Sequence, residues 1–369
     1  MTQPCVSVDA ARIVRRGACV GLAAAALLAG SRPAVSDPIE DFYRGKRLSL
    51  VIRATPGGNY DSYSRLLGRY ITRYLPGNPV AVPVNMPAGG GLVAFNHVMT
   101  IAPKDGTVIT MITETFPMDQ ALGLNKSLTI DLRTMNCIGN MSDSSQMLLT
   151  RQDSPTKTLA DAKRRETVIG ATGIGSSSTQ LVALYNNMLG TRFKIVYGYP
   201  SGPEISLAME RGEIEGRSTG TIGSLVLPAN ADPSLPPFNY LIQAGMRKMQ
   251  GYEAVPLLRE VAPDSDSRAV ADFISEAIAV ARPVCMAPGV PAERVAAMRR
   301  AFDKALADPD LLAEAERNGM EIAPMTGEAL QAVIKKMIET PPAILDKVRL
   351  AIQVTAAERA PGAKKEGAE

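Results

Sequence analysis

The sequence contains no tryptophan and a single histidine among its 369 residues, and these scarcities exclude several kinds of site. His97 alone cannot make a histidine-rich metal centre, and any catalytic dyad that needs histidine would depend on it. It lies in a helical pattern, where a packing role is the simpler interpretation. We expect no metal, no other cofactor and no enzyme activity.

Cysteine is also scarce, with four residues, of which two lie within the first 36 positions. The other two, Cys137 and Cys285, each lie in a short apolar run typical of a buried strand. They could pair in an oxidising compartment. Because both runs predict burial, two buried free thiols are the preferred interpretation.

Residues 1–36 have the pattern of a cleaved export signal. Arg12, Arg15 and Arg16 form a basic start, and residues 17–30 are small and apolar, too short to span a membrane. Ala34-Val35-Ser36 offers a cleavage site, so we expect a mature chain that starts at Asp37 and is located in the periplasm.

The rest of the chain has no excess charge of either sign. Removing the four arginines and the one aspartate of residues 1–36 leaves 36 basic and 36 acidic residues. A nucleic-acid surface would need a basic patch with interleaved aromatic residues, and we see none.

Apolar runs alternate with helical patterns along residues 37–369, which predicts an α/β fold. The predicted strands are 48–53, 80–84, 107–112, 137–141, 146–150, 167–171, 193–197, 214–217, 238–243 and 278–286. The predicted helices are 60–74, 91–101, 116–123, 158–164, 177–189, 203–211, 254–261, 267–276, 291–307, 309–318, 326–338 and 342–358. Residues 228–237 are proline-rich and predict a loop, and the polar residues 360–369 predict a disordered tail.

A glycine-rich segment between the first strand and the helix after it is the most informative motif. It reads Pro56-Gly57-Gly58-Asn59-Tyr60-Asp61. Such a turn exposes backbone N–H groups at the positive end of a helix dipole, which suits a small anion. An ordinary glycine-rich connection is the alternative interpretation.

Four separate stretches resemble the tripartite tricarboxylate transporter substrate-binding proteins, the Bug family of periplasmic receptors. They are Phe42-Tyr43-Arg44-Gly45-Lys46 with the glycine segment and Arg65; Leu75-Pro76-Gly77-Asn78-Pro79-Val80 with Asn85-Met86-Pro87-Ala88-Gly89-Gly90-Gly91-Leu92; Ala102-Pro103-Lys104-Asp105-Gly106-Thr107; and Gly173-Ile174-Gly175-Ser176-Ser177-Ser178 with Tyr197-Gly198-Tyr199-Pro200-Ser201-Gly202. The resemblance implies a two-lobed periplasmic-binding-protein-like (type II) fold with a ligand cleft between the lobes. It extends from about residue 42 to 216 and is looser beyond residue 287.

The resemblance also implies that two glycine loops hold a carboxylate of the ligand. Carried over to this sequence, the loop residues are Pro56, Gly57, Gly58, Asn59 and Asp61, then Asn85, Pro87, Ala88 and Gly89. The sequence departs from the family pattern at two places. In the second loop, Pro87-Ala88-Gly89 replaces Pro-Gly-Ala. After the segment Gly173 to Ser178, which we call the serine loop, Thr179-Gln180 replaces a frequent histidine. We therefore do not assign a specific ligand from any relative.

Hydroxyl groups of the serine loop are suited to the far end of the ligand. The residues are Thr172, Ser176, Ser177 and Ser178, although Ser176 or Ser177 could instead cap the helix that follows. Tyr60 and Tyr199 could flank the ligand or simply pack. Asp61 could hold an amine, and helix capping is the preferred role for it.

We expect lobe 1 to comprise residues 37–145 and 286–369, and lobe 2 to comprise residues 146–285. The expected function is an extracytoplasmic solute receptor that closes on a small organic acid or amino acid. By resemblance, its partners would be integral-membrane permease subunits. We also expect a monomer that binds no nucleic acid. A periplasmic sensor that feeds a membrane signalling partner is the alternative.

Two enzyme-like motifs compete with this interpretation. Gly216-Arg217-Ser218-Thr219-Gly220 matches the G-x-S-x-G nucleophile elbow, but His97 precedes it, whereas hydrolases of that fold have the histidine last. We prefer a cleft wall in which Arg217 or Ser218 is available to a ligand. Gly173-Ile174-Gly175 is only a partial dinucleotide fingerprint.

Overall fold

A computed structural model describes Met1 and residues 37–143, 145–172, 176–199, 202–219, 234 and 236–354. Several predictions lie outside these residues: the export signal, Gly173 to Gly175, Pro200, Ser201, Gly220, most of the proline-rich loop and the tail at 360–369.

The described residues form eleven strands and twelve α-helices in alternation. The strands are β1 Arg47–Ile52, β2 Val80–Asn85, β3 Val108–Met111, β4 Asn136–Asn140, β5 Gln146–Arg151, β6 Thr167–Gly170, β7 Phe193–Val196, β8 Gly216–Thr219, β9 Phe238–Ala244, β10 Pro283–Met286 and β11 Met325–Thr326. The helices are α1 Pro38–Tyr43, α2 Asn59–Tyr74, α3 Leu92–Asn96, α4 Phe116–Leu122, α5 Leu159–Arg164, α6 Ser177–Leu189, α7 Gly202–Glu210, α8 Ser265–Ala279, α9 Ala292–Leu306, α10 Pro309–Arg317, α11 Gly327–Ile338 and α12 Pro342–Ala351.

The first sheet has the strand order β11-β4-β10-β3-β1-β2. β1 runs parallel to both β2 and β3, with Leu50 opposite Pro83 and Ile109, whereas β10 runs antiparallel to β3 and β4. Alternation along β1 places Leu50 and Ile52 in the apolar cluster with α2, and Val51 in the cluster on the opposite face. Helices on both faces therefore bury most of β1, β3, β4 and β10, whereas the edge strand β2 stays partly exposed.

The second sheet has the strand order β7-β6-β8-β5-β9. β6 is parallel to β7 and β8, while β5 is antiparallel to β8 and β9. Leu148 and Leu149 point to opposite faces: Leu148 packs in the cluster that includes α6 and α8, and Leu149 packs with α7 residues such as Ile205. Two sheets, each with apolar clusters on both faces, give two lobes.

The chain passes between the sheets at β4 to β5 and again at α8 to β10. Asn140 ties these two crossings together: its side-chain amide donates to the carbonyls of Ser142 (2.6 Å) and Ala279 (2.9 Å), and its Oδ1 accepts from the N–H of Arg282 (2.8 Å). Because Asn140 is fully buried, these hydrogen bonds fix the distance between the two segments that cross between the sheets.

The last described helix, α12, contacts residues of both lobes. It buries Leu345 and Val348 in the cluster with Tyr185 of α6 and Phe273 of α8. Its Arg349 also donates to the carbonyl of Leu122 in α4. The expected assignment of residues 286–369 to lobe 1 stays a prediction.

Several predicted elements differ from the structure. The helix predicted at 254–261 is only a short 3₁₀ turn, Leu258–Val261, and the strand predicted at 278–286 begins at Pro283 because α8 continues to Ala279. Cys137 and Cys285 lie opposite each other on β4 and β10 as buried free thiols with their sulfurs 4.0 Å apart, as preferred from the sequence.

No helix within the described ranges is long and apolar enough to cross a membrane. Across those same residues, no group of three or more histidine, cysteine or acidic side chains is arranged to hold a metal ion.

Candidate functional site

The first glycine loop connects β1 to α2. Gly57 is exposed at φ +83°, a left-handed conformation that favours glycine, and nothing lies within 4 Å of the position where a Cβ would stand. Gly58 has an ordinary φ of −71° and is the N-cap of α2. The first three N–H groups of the helix, from Asn59 to Asp61, have no acceptor within it.

Asp61 closes this loop on itself. Its carboxylate accepts from the N–H of Gly57 (2.9 Å), from Nε of Arg65 (2.8 Å) and from Nδ2 of Asn85 (2.9 Å). Burial alone would raise the pKa of Asp61, but these hydrogen bonds and the Arg65 charge lower it to about 2. With these donors already bound, Asp61 supports the loop. It does not cap α2 as preferred from the sequence, because its backbone partner is Gly57, which precedes the N-cap Gly58, and no side chain caps this helix.

Asn85 belongs to the same support. Its amide also donates to the carbonyl of Ala54 at 2.7 Å, and its Oδ1 accepts from Nη2 of Arg65 at 3.1 Å. The end of β2 is therefore fastened to the start of α2, and the Asn85 side chain faces this network.

The second glycine loop follows β2 and contains three consecutive left-handed residues. Gly89, Gly90 and Gly91 have φ values of +58°, +60° and +102°, and Pro87, Ala88, Gly89 and Gly90 are exposed. Among the described residues no backbone acceptor pairs with the N–H of Gly89 or Gly90, whereas Gly91 donates to Ala88. This loop thus offers donors, and only glycine adopts such a backbone without strain.

Arg53 lies between the two loops. It is the first residue after β1, its Nη2 donates to the carbonyl of Gly90 (3.2 Å), and its Nε lies 2.6 Å from where a Cβ of Gly91 would be. Its Nε is buried without a hydrogen-bond partner, and no acidic residue in the described ranges lies within ion-pair distance. Arg53 is therefore a cation without a counter-charge where both loops meet.

Tyr60 supports two arginines. The guanidinium of Arg53 lies 4.1 Å from the centre of its ring and that of Arg282 lies 4.7 Å away. The Tyr60 hydroxyl donates to Glu114 at 3.1 Å, and Glu114 also forms an ion pair with Arg282 at 2.9 Å. Burial raises the pKa of Tyr60, so its hydroxyl stays protonated and donates. Glu114 balances Arg282 and leaves the charge of Arg53 in excess.

Side chains of both lobes line a cavity of about 80 Å³ beside this cluster. Lobe 1 contributes Glu114 and Thr115, which follow β3, and lobe 2 contributes Ser177 and Gln180 at the start of α6, which follows β6. The carboxyl ends of parallel strands in the two sheets therefore face each other, the position where α/β sheets bind ligands.

The hydroxyl groups predicted on lobe 2 are largely engaged with one another. The Ser178 hydroxyl accepts from the N–H of Thr172 (3.2 Å) and lies 2.9 Å from the Ser176 hydroxyl, and Ser176 caps α6 by accepting from the N–H of Thr179. Ser177 is exposed and lines the cavity. The capping alternative holds for Ser176, and Ser177 is the serine that faces open space.

Ser218 and Arg217 occupy opposite faces of the second sheet. Ser218 pairs with Leu148 in the ladder and is 2% exposed, on the face that packs against α6 and α8. A nucleophile elbow requires a sharp turn from strand to helix and a bonded base, but Ser218 lies within β8 and its hydroxyl has no hydrogen-bond partner among the described residues. Tyr199 is half-buried near Gly170 on the Arg217 face.

Sequence reasoning overlooked Arg53, Arg282 and Glu114. Each lies close to the end of a strand of the first sheet: Arg53 directly follows β1, Glu114 comes three residues after β3, and Arg282 directly precedes β10. A charged residue at the end of an apolar run was the available signal. Their convergence depends on the pairing of β10 with β3, which joins segments far apart in sequence.

Comparison with solved structures identifies the fold. No protein-family model matches the chain, and no curated protein sequence matches it. A TctC solute-binding protein from Polaromonas is 22% identical, with a TM-score of 0.64 over 83% of this chain and 99% of that one. The periplasmic binding protein BugD is 18% identical, with a TM-score of 0.53 over 84% and 98%.

A third solved structure of this kind contains a ligand. It is MatC from Rhodopseudomonas palustris with bound malate, 18% identical, with a TM-score of 0.54 over 81% of this chain and 99% of that one. Together these similarities confirm the predicted α/β, two-lobed periplasmic-binding-protein fold.

Proposed function

We propose that this protein is an extracytoplasmic solute receptor of the tripartite tricarboxylate transporter type, which closes its two lobes on a small organic acid. The observation that carries the proposal is Arg53, a cation without a counter-charge held between two glycine loops. A cation in a partly water-excluded cleft favours an anion. The N–H groups of Gly89 and Gly90, which have no backbone acceptor among the described residues, would add hydrogen bonds.

The comparisons support the same ligand class. The sequence resembles a family of solute receptors, and the chain shares its fold with a TctC solute-binding protein and with a malate-bound protein. A carboxylate held by Arg53 and by the loop N–H groups agrees with the carboxylate that such a family binds. Charge-assisted hydrogen bonds of about 1.5–3 kcal/mol each allow micromolar binding after ordering costs.

The proposal extends to location and partners. We propose that residues 1–36 direct export and that the receptor acts in the periplasm as a monomer. Membrane permease subunits would receive the ligand. No step requires a cofactor, and the buried, unpaired Ser218 offers no support for hydrolysis.

A dye-based thermal shift against a panel of organic acids and amino acids tests the proposal. A ligand at about a hundred times its Kd stabilises the folded state by about 2.7 kcal/mol. We expect stabilisation by one or a few carboxylates and none by their neutral amides. Stabilisation by neutral compounds alone, or by nothing in the panel, would contradict the proposal.

Arg53→Gln tests the residue that carries it. The variant should bind the same acid at least about tenfold more weakly, because a charge-assisted pair is lost. Arg73→Gln is the matched control: Arg73 also stacks on a tyrosine, 4.3 Å from the centre of the Tyr70 ring, but at the opposite end of α2. Equal losses in both variants would show that Arg53 acts only through packing.

A further inference from the structure

The cavity between the lobes has a wall that is mostly apolar, and the proposed site does not use it. Its volume is about 80 Å³. A space of this size holds several water molecules, and an apolar wall favours an alkyl chain or a ring over water. The apolar side chains that line it come from α4, α6, α8 and the residue after α12: Met118, Leu181, Ile274, Ala277, Ile278 and Ile352.

The described residues that line this cavity include no cation. Glu114 is the one ionisable side chain among them, and it is already bound to Nη1 of Arg282 at 2.9 Å. The other polar side chains there are neutral, and the hydroxyl of Thr115 donates to Asp119 at 3.1 Å. A second carboxylate of the ligand placed in this space would lose its water, meet the charge of Glu114 and find no cation. The cavity therefore disfavours a second anionic group.

The cavity lies close to the proposed anion site. The guanidinium of Arg53 lies 4.1 Å from the centre of the Tyr60 ring, and the hydroxyl of that ring donates to Glu114 of the cavity wall at 3.1 Å. A single side chain, that of Tyr60, therefore links the cation to the wall of the cavity. A ligand whose carboxylate is held at Arg53 has the apolar wall within reach of a short chain.

We propose that this cavity receives an apolar tail of the ligand, so that the receptor prefers a monocarboxylate with an alkyl or aryl group to a dicarboxylate of the same length. This inference rests on the proposed function, in which Arg53 holds the carboxylate. Each CH₂ group of the tail that is removed from water strengthens binding by about fourfold. Met118 follows β3 of the first sheet and Leu181 follows β6 of the second, so one tail contacts both lobes and favours their closed arrangement.

Calorimetric titration of the full chain with straight-chain acids from propanoate to octanoate tests the tail. Affinity should rise by about fourfold per CH₂ group until the cavity is full and should then level off. Hexanoate should bind at least about tenfold more tightly than adipate, which has the same number of carbons and a second carboxylate. Tighter binding of adipate, or an affinity that does not change with chain length, would overturn the inference and leave the receptor proposal intact.

Ala277→Leu tests the cavity itself. The larger side chain fills part of the space, so the affinity should level off at a shorter acid, with hexanoate weakened by about tenfold and propanoate unchanged. Ala269→Leu is the matched control, because Ala269 lies on the same helix but does not line this cavity. Equal losses of hexanoate affinity in the two variants would overturn the inference.

Ile278→Ala keeps the test decisive if Ala277→Leu does not fold. It enlarges the cavity, so the affinity should level off at a longer acid than in the wild type. Levelling off at the same acid would overturn the role of the cavity and leave the receptor proposal intact. Failure of the wild-type protein to bind any acid would overturn both.

Discussion

The two glycine loops of lobe 1 resemble each other in composition but use their polar groups in opposite ways. In the first loop, Asp61 takes up the N–H of Gly57 and the side chains of Arg65 and Asn85, so the loop is closed on itself. In the second loop, the N–H groups of Gly89 and Gly90 have no backbone acceptor in the described residues. Arg53, which lies between the two loops, donates to the carbonyl of Gly90 in the second loop. The first loop therefore has its polar groups bonded within itself, and we propose the second loop as the binding surface.

Gly91→Val should disrupt the second loop and its contact with Arg53, and it should lower acid affinity more than the other variants. A Cβ there would lie 2.5 Å from Oγ1 of Thr113 and 2.6 Å from Nε of Arg53, at a φ of +102° that valine does not tolerate. We expect acid affinity to fall by about a hundredfold or more, measured by titration calorimetry.

Gly90→Val is the matched control for that change. It introduces comparable backbone strain at φ +60°, but nothing lies within 4 Å of its Cβ position. It should lose clearly less affinity than Gly91→Val. Equal losses in the two variants would show that backbone strain, and not displacement of Arg53, is responsible.

Asp61→Asn should have an intermediate effect, because it weakens the support without touching the ligand. Loss of hydrogen bonds to a charged acceptor should lower the free energy of unfolding by about 1.5–3 kcal/mol. Acid affinity should fall by about tenfold as the first loop loosens. Chemical denaturation and titration measure the two effects, and unchanged stability would contradict the supporting role.

The pH dependence of the free energy of unfolding should also test the supporting role of Asp61 in the first loop. The pKa of Asp61 is lowered to about 2 in the folded protein, below its usual value near 4. The stability that the Asp61 carboxylate contributes is therefore fully present above about pH 4 and is lost as the pH falls towards 2. Asp61→Asn should destabilise the protein less at pH 3 than at pH 7, in denaturation at both pH values. An equal effect at the two pH values would contradict the shift.

Ser218→Ala should have the smallest effect of all. The hydroxyl is buried without a partner on the face that packs against α6 and α8, so its removal leaves acid affinity unchanged. Esterase turnover measured in wild-type protein and abolished in Ser218→Ala would contradict the receptor interpretation.

Local sequence patterns predicted most of the fold because each element carries its own signal. The apolar run of β1, the amphipathic pattern of α2 and the serine before α6 each indicate an element without reference to the rest of the chain. The position of α12 could not be predicted in this way. Its pattern shows that one face is buried, but not that the partner surface includes α6 and α8 of lobe 2.

The candidate site was predictable to a smaller extent. Glycine loops and the helix starts that follow them are local features of the sequence, and both loops were identified. Whether Arg53 has a counter-charge depends on where Glu114 and Arg282 lie, and that depends on strand pairing across more than 160 residues. Likewise, Asn85 was predicted as a ligand contact, and the structure shows its amide bound to Asp61 and Ala54.

A crystal structure with the tightest-binding acid from the panel tests the central claim most directly. We predict a carboxylate within hydrogen-bond distance of the Arg53 guanidinium and of the N–H of Gly89 or Gly90, with the Asp61 network intact. A ligand whose carboxylate lies away from Arg53, or that displaces Asp61 from the N–H of Gly57, would contradict the account.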